Sequence, residues 1–140
     1  MAESNANDWN RQIIEEFRTN GGKVGGPLEG VTLLLLTTTG AKSGQKRVSP
    51  LGYLPEGDRI FIFGVKGGAP TNPDWYHNLV AHPTATVEIG TEQFEATAKV
   101  VGAEERDQIY AKQVQRIPGM GEYEKQMTRK IPVVELVRNN

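Results

Sequence analysis

The sequence predicts one small domain that is mainly β with α (α+β), built on a six-stranded antiparallel barrel with flanking helices. At 140 residues, with 37% hydrophobic and 24% charged side chains, the chain suits a single globular core. Six short segments have strand character, and the helical stretches interrupt them without a regular β-α alternation, which favours a closed or partly closed antiparallel barrel. Sixteen glycines and eight prolines lie largely between these segments, as expected of tight turns.

Residues 1–30 predict an N-terminal amphipathic helix and a glycine-rich connector, and residues 31–140 predict the barrel itself. The helix is expected over residues 8–19, after Asn7 as N-cap. Its apolar stripe has a four-residue spacing and consists of Trp9, Ile13 and Phe17. The stripe is expected to fold back over the barrel, and the alternative is weak contact with a membrane surface.

Acidic side chains on the polar face of this helix, Glu15 and Glu16, favour the first arrangement because they match anionic lipid poorly. No apolar run has the length of a signal core or of a membrane span. We therefore expect a cytoplasmic protein, with the inner face of the membrane as the alternative location.

Six segments predict the strands of the barrel. Pro50 indicates an edge or a bulge in the second of them, and Glu56-Gly57-Asp58 predicts the hairpin turn that follows. In chain order the strands are expected at Val31–Thr39, Lys46–Leu54, Arg59–Val65, Thr84–Ile89, Gln93–Val101 and Pro132–Val137.

Helices are predicted between these strands. Asn72-Pro73-Asp74 combines a cap, a proline at the first helical position and an acid in the first turn, and this helix should end before Pro83. A second apolar stripe precedes Pro118-Gly119 and a third follows it. Their members are Tyr110, Val114 and Ile117, and then Met120, Tyr123 and Met127.

Composition excludes several kinds of function. The chain has no cysteine, so disulfides, thiolate metal sites and cysteine nucleophiles are absent. Its two histidines have no acid at ligand spacing, so no metal site is expected. A net charge of −1 argues against nucleic acid as a partner. Any anion site must therefore be local.

A basic turn at residues 37–47 is the strongest local signal. Three threonines precede Gly40, and four side chains suited to an anion follow within six residues, namely Lys42, Ser43, Lys46 and Arg47. Turn N–H groups, a hydroxyl and these cations suit a phosphate or carboxylate. The alternative interpretation is a solvated hairpin.

Two further stretches could line a planar ring. Phe63-Gly64-Val65-Lys66-Gly67-Gly68 ends an apolar strand in glycines that would let a ring approach the backbone, although a strand running into a plain turn explains this stretch better when it is taken alone. Asn72 to Leu79 places two aromatic residues on a helix, and these could wall a pocket or belong to the core.

Taken together, the three stretches resemble the deazaflavin-dependent nitroreductase family of actinobacteria, proteins with a flavin-binding split β-barrel. The resemblance runs from about Val31 to Val137. It rests on Thr-Thr-Thr-Gly-x-Lys-Ser-Gly-Gln-x-Arg at 37–47, Lys-Gly-Gly at 66–68, Asn-Pro-x-Trp-Tyr-x-Asn-Leu at 72–79 and Arg-x-Ile-Pro-Val at 129–133.

The resemblance implies that coenzyme F-420 is the cofactor, with FMN as the alternative, and that hydride passes from C5 of the reduced deazaflavin to a small quinone, nitro or other conjugated acceptor. Its phosphate would be held by Lys42, Ser43, Gln45, Lys46 and Arg47. The ribityl chain would follow Val48, Ser49, Pro50 and Leu51. The ring would lie against Phe63, Gly64, Val65 and Lys66, with Trp75, Tyr76 and Asn78 closing the pocket.

Two positions depart from the family pattern. Met120 stands where the nitroreductases have a tyrosine in the substrate pocket, and Val65 replaces a serine. Both departures favour quinones over nitroimidazoles as acceptors. Tyr123 remains in the expected substrate pocket beside Met120 as the candidate proton donor. A cofactor carrier without catalysis is the alternative from another functional class.

Overall fold

The computed structural model describes residues 2–26, 32–66, 71–127 and 129–139, and in the first helix it describes side chains from Asn10 onward. Every predicted strand is present. In chain order the elements are α1 (Ala2–Thr19), β1 (Leu33–Thr39), β2 (Lys46–Glu56), β3 (Arg59–Phe63), α2 (Asp74–Ala81), β4 (Thr84–Ile89), β5 (Glu92–Val100), α3 (Ala103–Arg116), α4 (Gly119–Gln126) and β6 (Val133–Arg138).

The six strands form a closed antiparallel barrel in the order β1-β2-β3-β6-β5-β4, which confirms the predicted architecture. β1 and β2 pair from Leu33 opposite Gly52 to Thr39 opposite Lys46. The last strand of the chain, β6, inserts between β3 and β5. β1 closes the barrel on β4. Closure therefore depends on pairing between strands that are far apart in sequence.

The first half of β2 is an edge, as Pro50 predicts. Pro50 pairs with Leu35 of β1, and β3 joins the other side of β2 only from Tyr53 onward. Among the described residues no strand lies along that other side before Tyr53. A proline is tolerated there because its missing N–H breaks no ladder bond.

Alternation along β1 separates the interior of the barrel from its outer face. Leu34 and Leu36 belong to the interior core, whereas Leu35 faces outward. Helix α2 lies against β1 and adds Trp75 and Leu79 to the interior core. The position of α2 is thus fixed by burial of its apolar residues.

Helix α1 folds back over the outer face of the barrel. Ile13 and Phe17 are buried there against Leu35, and Phe17 is only 1% exposed. The Arg18 guanidinium donates two hydrogen bonds to the Glu88 carboxylate, at 3.0 and 2.8 Å. The structure therefore confirms the expected packing on the barrel for Ile13 and Phe17, whereas the side chain of Trp9 lies outside the described residues. No helix in the described part of the chain is long and apolar enough to cross a membrane.

Some predicted boundaries were wrong. α1 begins at Ala2 and not at Asp8, so Asn7 lies inside the helix and is not its cap. A capping preference is a weak local signal that does not by itself fix where a helix begins. β3 ends at Phe63 instead of Val65, because Gly64 turns its N–H to the Pro132 carbonyl oxygen at 2.9 Å. Val31 lies outside the described residues.

Candidate functional site

The turn between β1 and β2 is closed by its own backbone. The Gly40 N–H donates to the Gln45 carbonyl oxygen at 2.8 Å, and the Gly44 N–H donates to the Gly40 carbonyl oxygen at 3.0 Å. Gly44 has φ of +70°, which favours glycine. A Cβ on Gly40 would lie 2.5 Å from the Ser43 Oγ, which would have to move, and 3.3 Å from the Gln45 carbonyl oxygen. Ser43 Oγ accepts the Gln45 N–H at 3.2 Å, and its own O–H remains a donor toward a ligand.

Three cations on this turn are exposed to solvent. Among the described residues, no carboxylate forms an ion pair with Lys42, Lys46 or Arg47. Lys46 Nζ donates to Thr39 Oγ1 at 2.9 Å, and Arg47 makes only a 3.5 Å contact with Gln45 Oε1. A chain of net charge −1 therefore concentrates uncompensated positive charge here. That arrangement fits a phosphate group.

Asn78 of α2 fastens this turn to the rest of the molecule. Its Oδ1 accepts the Ala41 N–H at 3.0 Å, and its Nδ2 donates to Thr38 Oγ1 at 3.1 Å. The side chain is 7% exposed. Asn78 is expected from the sequence to close the cofactor pocket, but its amide is engaged within the protein. The structure supports a role in fixing the turn.

The side chains after the turn alternate between two faces of β2. Val48 packs with the α1 cluster, whereas Leu51 packs against the interior core. Arg47 and Ser49 lie on the same face as Leu51, because residues two apart share a face of the strand. A ligand that lies on one face of β2 therefore contacts either the side chains of Val48 and Pro50 or those of Ser49 and Leu51, and the contact of all four residues with the ribityl chain stays a prediction. Arg47 and Ser49 together are the set compatible with a single ligand.

Gly64, just after β3, is enclosed by two prolines. A Cβ there would lie 2.7 Å from Pro132 Cγ and 3.3 Å from Pro73 Cδ. Close packing against Pro132 and Pro73 therefore explains this glycine without a ring, and its contact with the ring stays a prediction. Phe63 contacts Tyr110 edge to face, with ring centroids 6.0 Å apart. Gly67 and Gly68 lie outside the described residues.

Arg129, for which sequence reasoning assigned no role, contacts the same segment. Its Nη1 donates to the Gly64 carbonyl oxygen at 3.0 Å and to Asn72 Oδ1 at 2.6 Å. Its Nη2 donates to the Val65 carbonyl oxygen at 2.9 Å. Partial burial lowers the pKa of the Arg129 guanidinium from its usual value. The only sequence signal was its place in the Arg-x-Ile-Pro-Val motif.

Lys66 follows with a left-handed backbone. Its φ is +51°, which is uncommon outside glycine, and its Nζ donates to Thr71 Oγ1 at 3.1 Å. Strain of this kind concentrates at functional sites. The observation is compatible with the predicted contact between Lys66 and the ring.

The two aromatic residues of α2 have different surroundings. Trp75 is 6% exposed and belongs to the interior core. It was expected to wall the pocket, but hydrophobic burial has placed it inside the barrel instead. Tyr76 is half-buried at the edge of that core, and its ring contacts His77 at 5.7 Å between centroids. Tyr76 therefore keeps a surface that a ligand could contact.

A groove of about 790 Å³ lies between α3 and α4 and ends beside Arg129. Its walls include Tyr110, Val114, Pro118, Gly121, Met127 and Arg129. Met120 does not line it: its side chain is 8% exposed and packs in the core beneath, so its predicted place in a substrate pocket is wrong. Tyr123 is not among the lining residues either: it is 37% exposed on α4, between Glu122 and Glu124 of the groove wall.

Tyr110 is the structural tyrosine of this region. Its hydroxyl donates to the Met120 carbonyl oxygen at 2.6 Å, and the residue is 1% exposed. Burial raises the pKa of Tyr110 to about 12. Tyr110 thus joins α3 to α4 as a neutral donor, and Tyr123 is left as the accessible phenol on α4.

Comparison with known proteins identifies the group to which this site belongs. Residues 9–138 match the family model described as "F420H(2)-dependent quinone reductase". The chain belongs to that family. Membership confirms the predicted class of enzyme, a reductase that depends on coenzyme F-420, and it confirms coenzyme F-420 as the cofactor.

Individual relatives in the quinone reductase family cover most of the chain. An F420H(2)-dependent quinone reductase of Mycobacterium tuberculosis is 37% identical over 126 residues, which span 87% of this chain and 85% of the relative. A solved F420-H2 dependent reductase is 38% identical with a TM-score of 0.68, over 75% of this chain and 93% of the other. A structure described as a domain-swapped dimer is 35% identical with a TM-score of 0.71, over 94% and 98%.

Proposed function

We propose that this protein reduces a quinone with coenzyme F-420 held between the β1–β2 turn and the segment after β3. The observation that supports this most directly is the turn itself. It offers cations without carboxylate partners on a backbone fixed by Asn78, within a family of quinone reductases that use this cofactor. A phosphate-bearing cofactor satisfies that charge.

The phosphate is held by Lys42, Ser43 and Arg47. Arg47 has the planar fork that engages phosphate oxygens in pairs, and its contact with Gln45 is long enough to give way. Lys46 is partly engaged with Thr39 and contributes mainly as a charge. Ser49 extends the same face of β2 toward the barrel.

The ring lies in the region bordered by Val65, Lys66 and Tyr76. Val65 and Lys66 follow the segment that Arg129 fixes, and Tyr76 presents its half-buried ring from α2. When bound, the reduced cofactor supplies the hydride. The protein supplies orientation, since positioning of two reactants removes much of the entropic barrier.

The acceptor occupies the groove between α3 and α4. Hydride addition to a quinone leaves negative charge on a carbonyl oxygen, and one proton completes the hydroquinone. Tyr123 is exposed on α4 between Glu122 and Glu124, which line the groove, and we assign it proton donation from outside the groove wall, with resupply from solvent. Val114 and Met127 provide apolar contacts for the ring of the acceptor.

The test is a titration of purified protein with coenzyme F-420 and with FMN, followed by fluorescence, and then turnover with menadione and reduced cofactor. We expect tight binding of coenzyme F-420, weak binding of FMN, and reduction of menadione. Equal or tighter FMN binding would overturn the cofactor assignment. Tight coenzyme F-420 binding without turnover of any quinone would indicate a carrier.

A further inference from the structure

Arg129 joins two parts of the site that are distant in sequence. Its guanidinium donates to two successive carbonyl oxygens, those of Gly64 and Val65, and to the side chain of Asn72. Gly64 and Val65 are the first two residues of the segment after β3, Gly64 to Lys66, which we call the ring-facing segment. Asn72 lies two residues before α2. A planar guanidinium is suited to this because its N–H groups point in fixed directions.

The segment that bears Arg129 is itself held firmly. Ile131 is 1% exposed, and its carbonyl oxygen accepts a hydrogen bond from Arg106 Nε at 2.9 Å. Pro132 packs against Gly64, and its carbonyl oxygen accepts the Gly64 N–H at 2.9 Å. Arg129 therefore projects from a fixed strand entry toward the ring-facing segment.

Helix α2 relates this clamp to the phosphate-binding turn. Asn72 contacts Arg129 before the helix, and Asn78 holds Ala41 and Thr38 near its end. The two asparagines are six positions apart, Asn72 in the non-helical segment that leads into α2 and Asn78 within the helix. The two parts of the cofactor site are thus both fixed to α2 and the segment that leads into it.

We infer that Arg129 is a positioning residue for hydride transfer, acting through the Gly64 and Val65 carbonyls and Asn72 to hold the ring-facing segment at a set distance from the phosphate-binding turn. The inference rests on the proposed function. It assigns to Arg129 the placement of the deazaflavin ring, whereas Lys42 and Arg47 determine whether the phosphate is held.

The decisive variant is Arg129→Lys, which keeps the charge but loses the fork. We expect its single-turnover hydride transfer to fall about 10- to 100-fold, because a displacement of about 1 Å can cost that much. Affinity for coenzyme F-420 should fall much less, because the phosphate turn is unchanged. Affinity for a deazaflavin truncated before its phosphate should fall by a larger factor, and its bound absorbance spectrum should shift.

Arg59→Lys is the matched control. Arg59 is the first residue of β3, five residues before Gly64, and its guanidinium donates to the Glu135 carboxylate at 3.0 and 2.9 Å. This variant should alter thermal stability without changing ring affinity or the transfer rate. Asn72→Ala provides a second variant that leaves Arg129 in place. It should reproduce the Arg129→Lys phenotype in weaker form, and the double variant should add little.

The inference would be overturned if Arg129→Lys and Asn72→Ala kept the wild-type affinity for the truncated deazaflavin and the wild-type rate of hydride transfer. A loss of stability with neither of these changed would overturn it as well. Failure of the proposed function has a different signature. In that case the wild-type protein binds neither coenzyme F-420 nor the truncated deazaflavin, whatever residue stands at 129, and both proposals fall.

Discussion

Arg47 and Lys46 are adjacent in sequence but project from opposite faces of β2. Lys46 shares the outer face with Thr39, to which it donates at 2.9 Å. Arg47 pairs in register with Thr38, on the face that continues through Ser49. Because neighbouring residues of a strand face opposite sides, Lys46 is engaged with Thr39 while the Arg47 guanidinium remains available to donate two hydrogen bonds to one phosphate.

Arg47→Ala should therefore weaken coenzyme F-420 binding more than Lys46→Ala. Loss of a charged hydrogen bond costs about 1.5–3 kcal/mol, so the dissociation constant for Arg47→Ala should rise about 10- to 100-fold. Calorimetric titration measures both. Lys99→Ala, an exposed lysine on β5, is the control and should bind as wild type does. A larger loss from Lys46 would reverse our assignment.

Two tyrosines near α4 separate chemistry from stability. Tyr123→Phe should lower kcat with menadione by about 100-fold or more if its phenol donates the proton, with cofactor affinity unchanged. Stopped-flow turnover at saturating reduced cofactor measures this. An unchanged kcat would mean that solvent or a backbone N–H supplies the proton.

Tyr110→Phe is the matched control. It removes the hydrogen bond to the Met120 carbonyl and should lower the free energy of unfolding by about 1 kcal/mol while kcat stays close to wild type. The raised pKa of Tyr110 also adds a pH dependence. Its contribution is complete below the ordinary pKa of 10 and is lost as pH rises through about 12, so the variant should lose less stability over that range.

At the scale of elements, α2 connects the site to the core. Its apolar face, with Trp75 and Leu79, packs in the interior core. Asn78, within the helix, holds the phosphate-binding turn. Asn72, two residues before the helix begins, contacts Arg129. Hydrophobic burial therefore fixes the helix, and the helix fixes the polar site.

Asn78→Ala should lower both stability and cofactor affinity. One buried and one partly buried hydrogen bond disappear and the Ala41 N–H loses its acceptor, so we expect a loss of about 1–3 kcal/mol in the free energy of unfolding. Coenzyme F-420 affinity should fall with it. Thr38→Val is the control: it removes only the contact with Asn78 Nδ2 and should affect stability with little change in affinity. Wild-type affinity in Asn78→Ala would show that the turn is set without α2.

At the scale of the whole molecule, the barrel and α1 form one packed body. Phe17 of α1 packs against Leu35 of β1, and Arg18 forms an ion pair with Glu88 of β4. Ile13 and Phe17 are both buried against the barrel and expose almost no surface that lipid could contact. The helix contributes to the stability of the fold in the arrangement described here.

Phe17→Ala should accordingly destabilise the protein by about 3–5 kcal/mol, as measured by urea denaturation. Arg18→Ala, which removes an ion pair whose Arg18 side chain is 50% exposed and whose Glu88 side chain is 14% exposed, should cost less, about 1 kcal/mol. Wild-type protein should not sediment with anionic vesicles through this stripe. Sedimentation that disappears in Phe17→Ala would instead show that α1 leaves the barrel for the membrane.

The sequence by itself determined the features that depend on neighbours along the chain. The pattern of apolar residues predicted the strands, and Pro50 predicted an edge in the second of them. Pro118-Gly119 predicted the break between α3 and α4, and residues 37–47 predicted a basic glycine turn. These are local because side-chain period, backbone φ and charge density act over a few residues. The motifs in order were also enough to predict the family.

The tertiary structure alone decided what several of these residues contact. Ala41 meets Asn78 across 37 positions, and Gly64 meets Arg129 across 65. Trp75 could equally have faced a ligand, and only burial in the closed barrel placed it in the core. Gly64 is glycine because β6 brings Pro132 beside it. Such contacts depend on how strands that are far apart in sequence pair when the barrel closes. No pattern within a short stretch of sequence specifies which distant residues will meet.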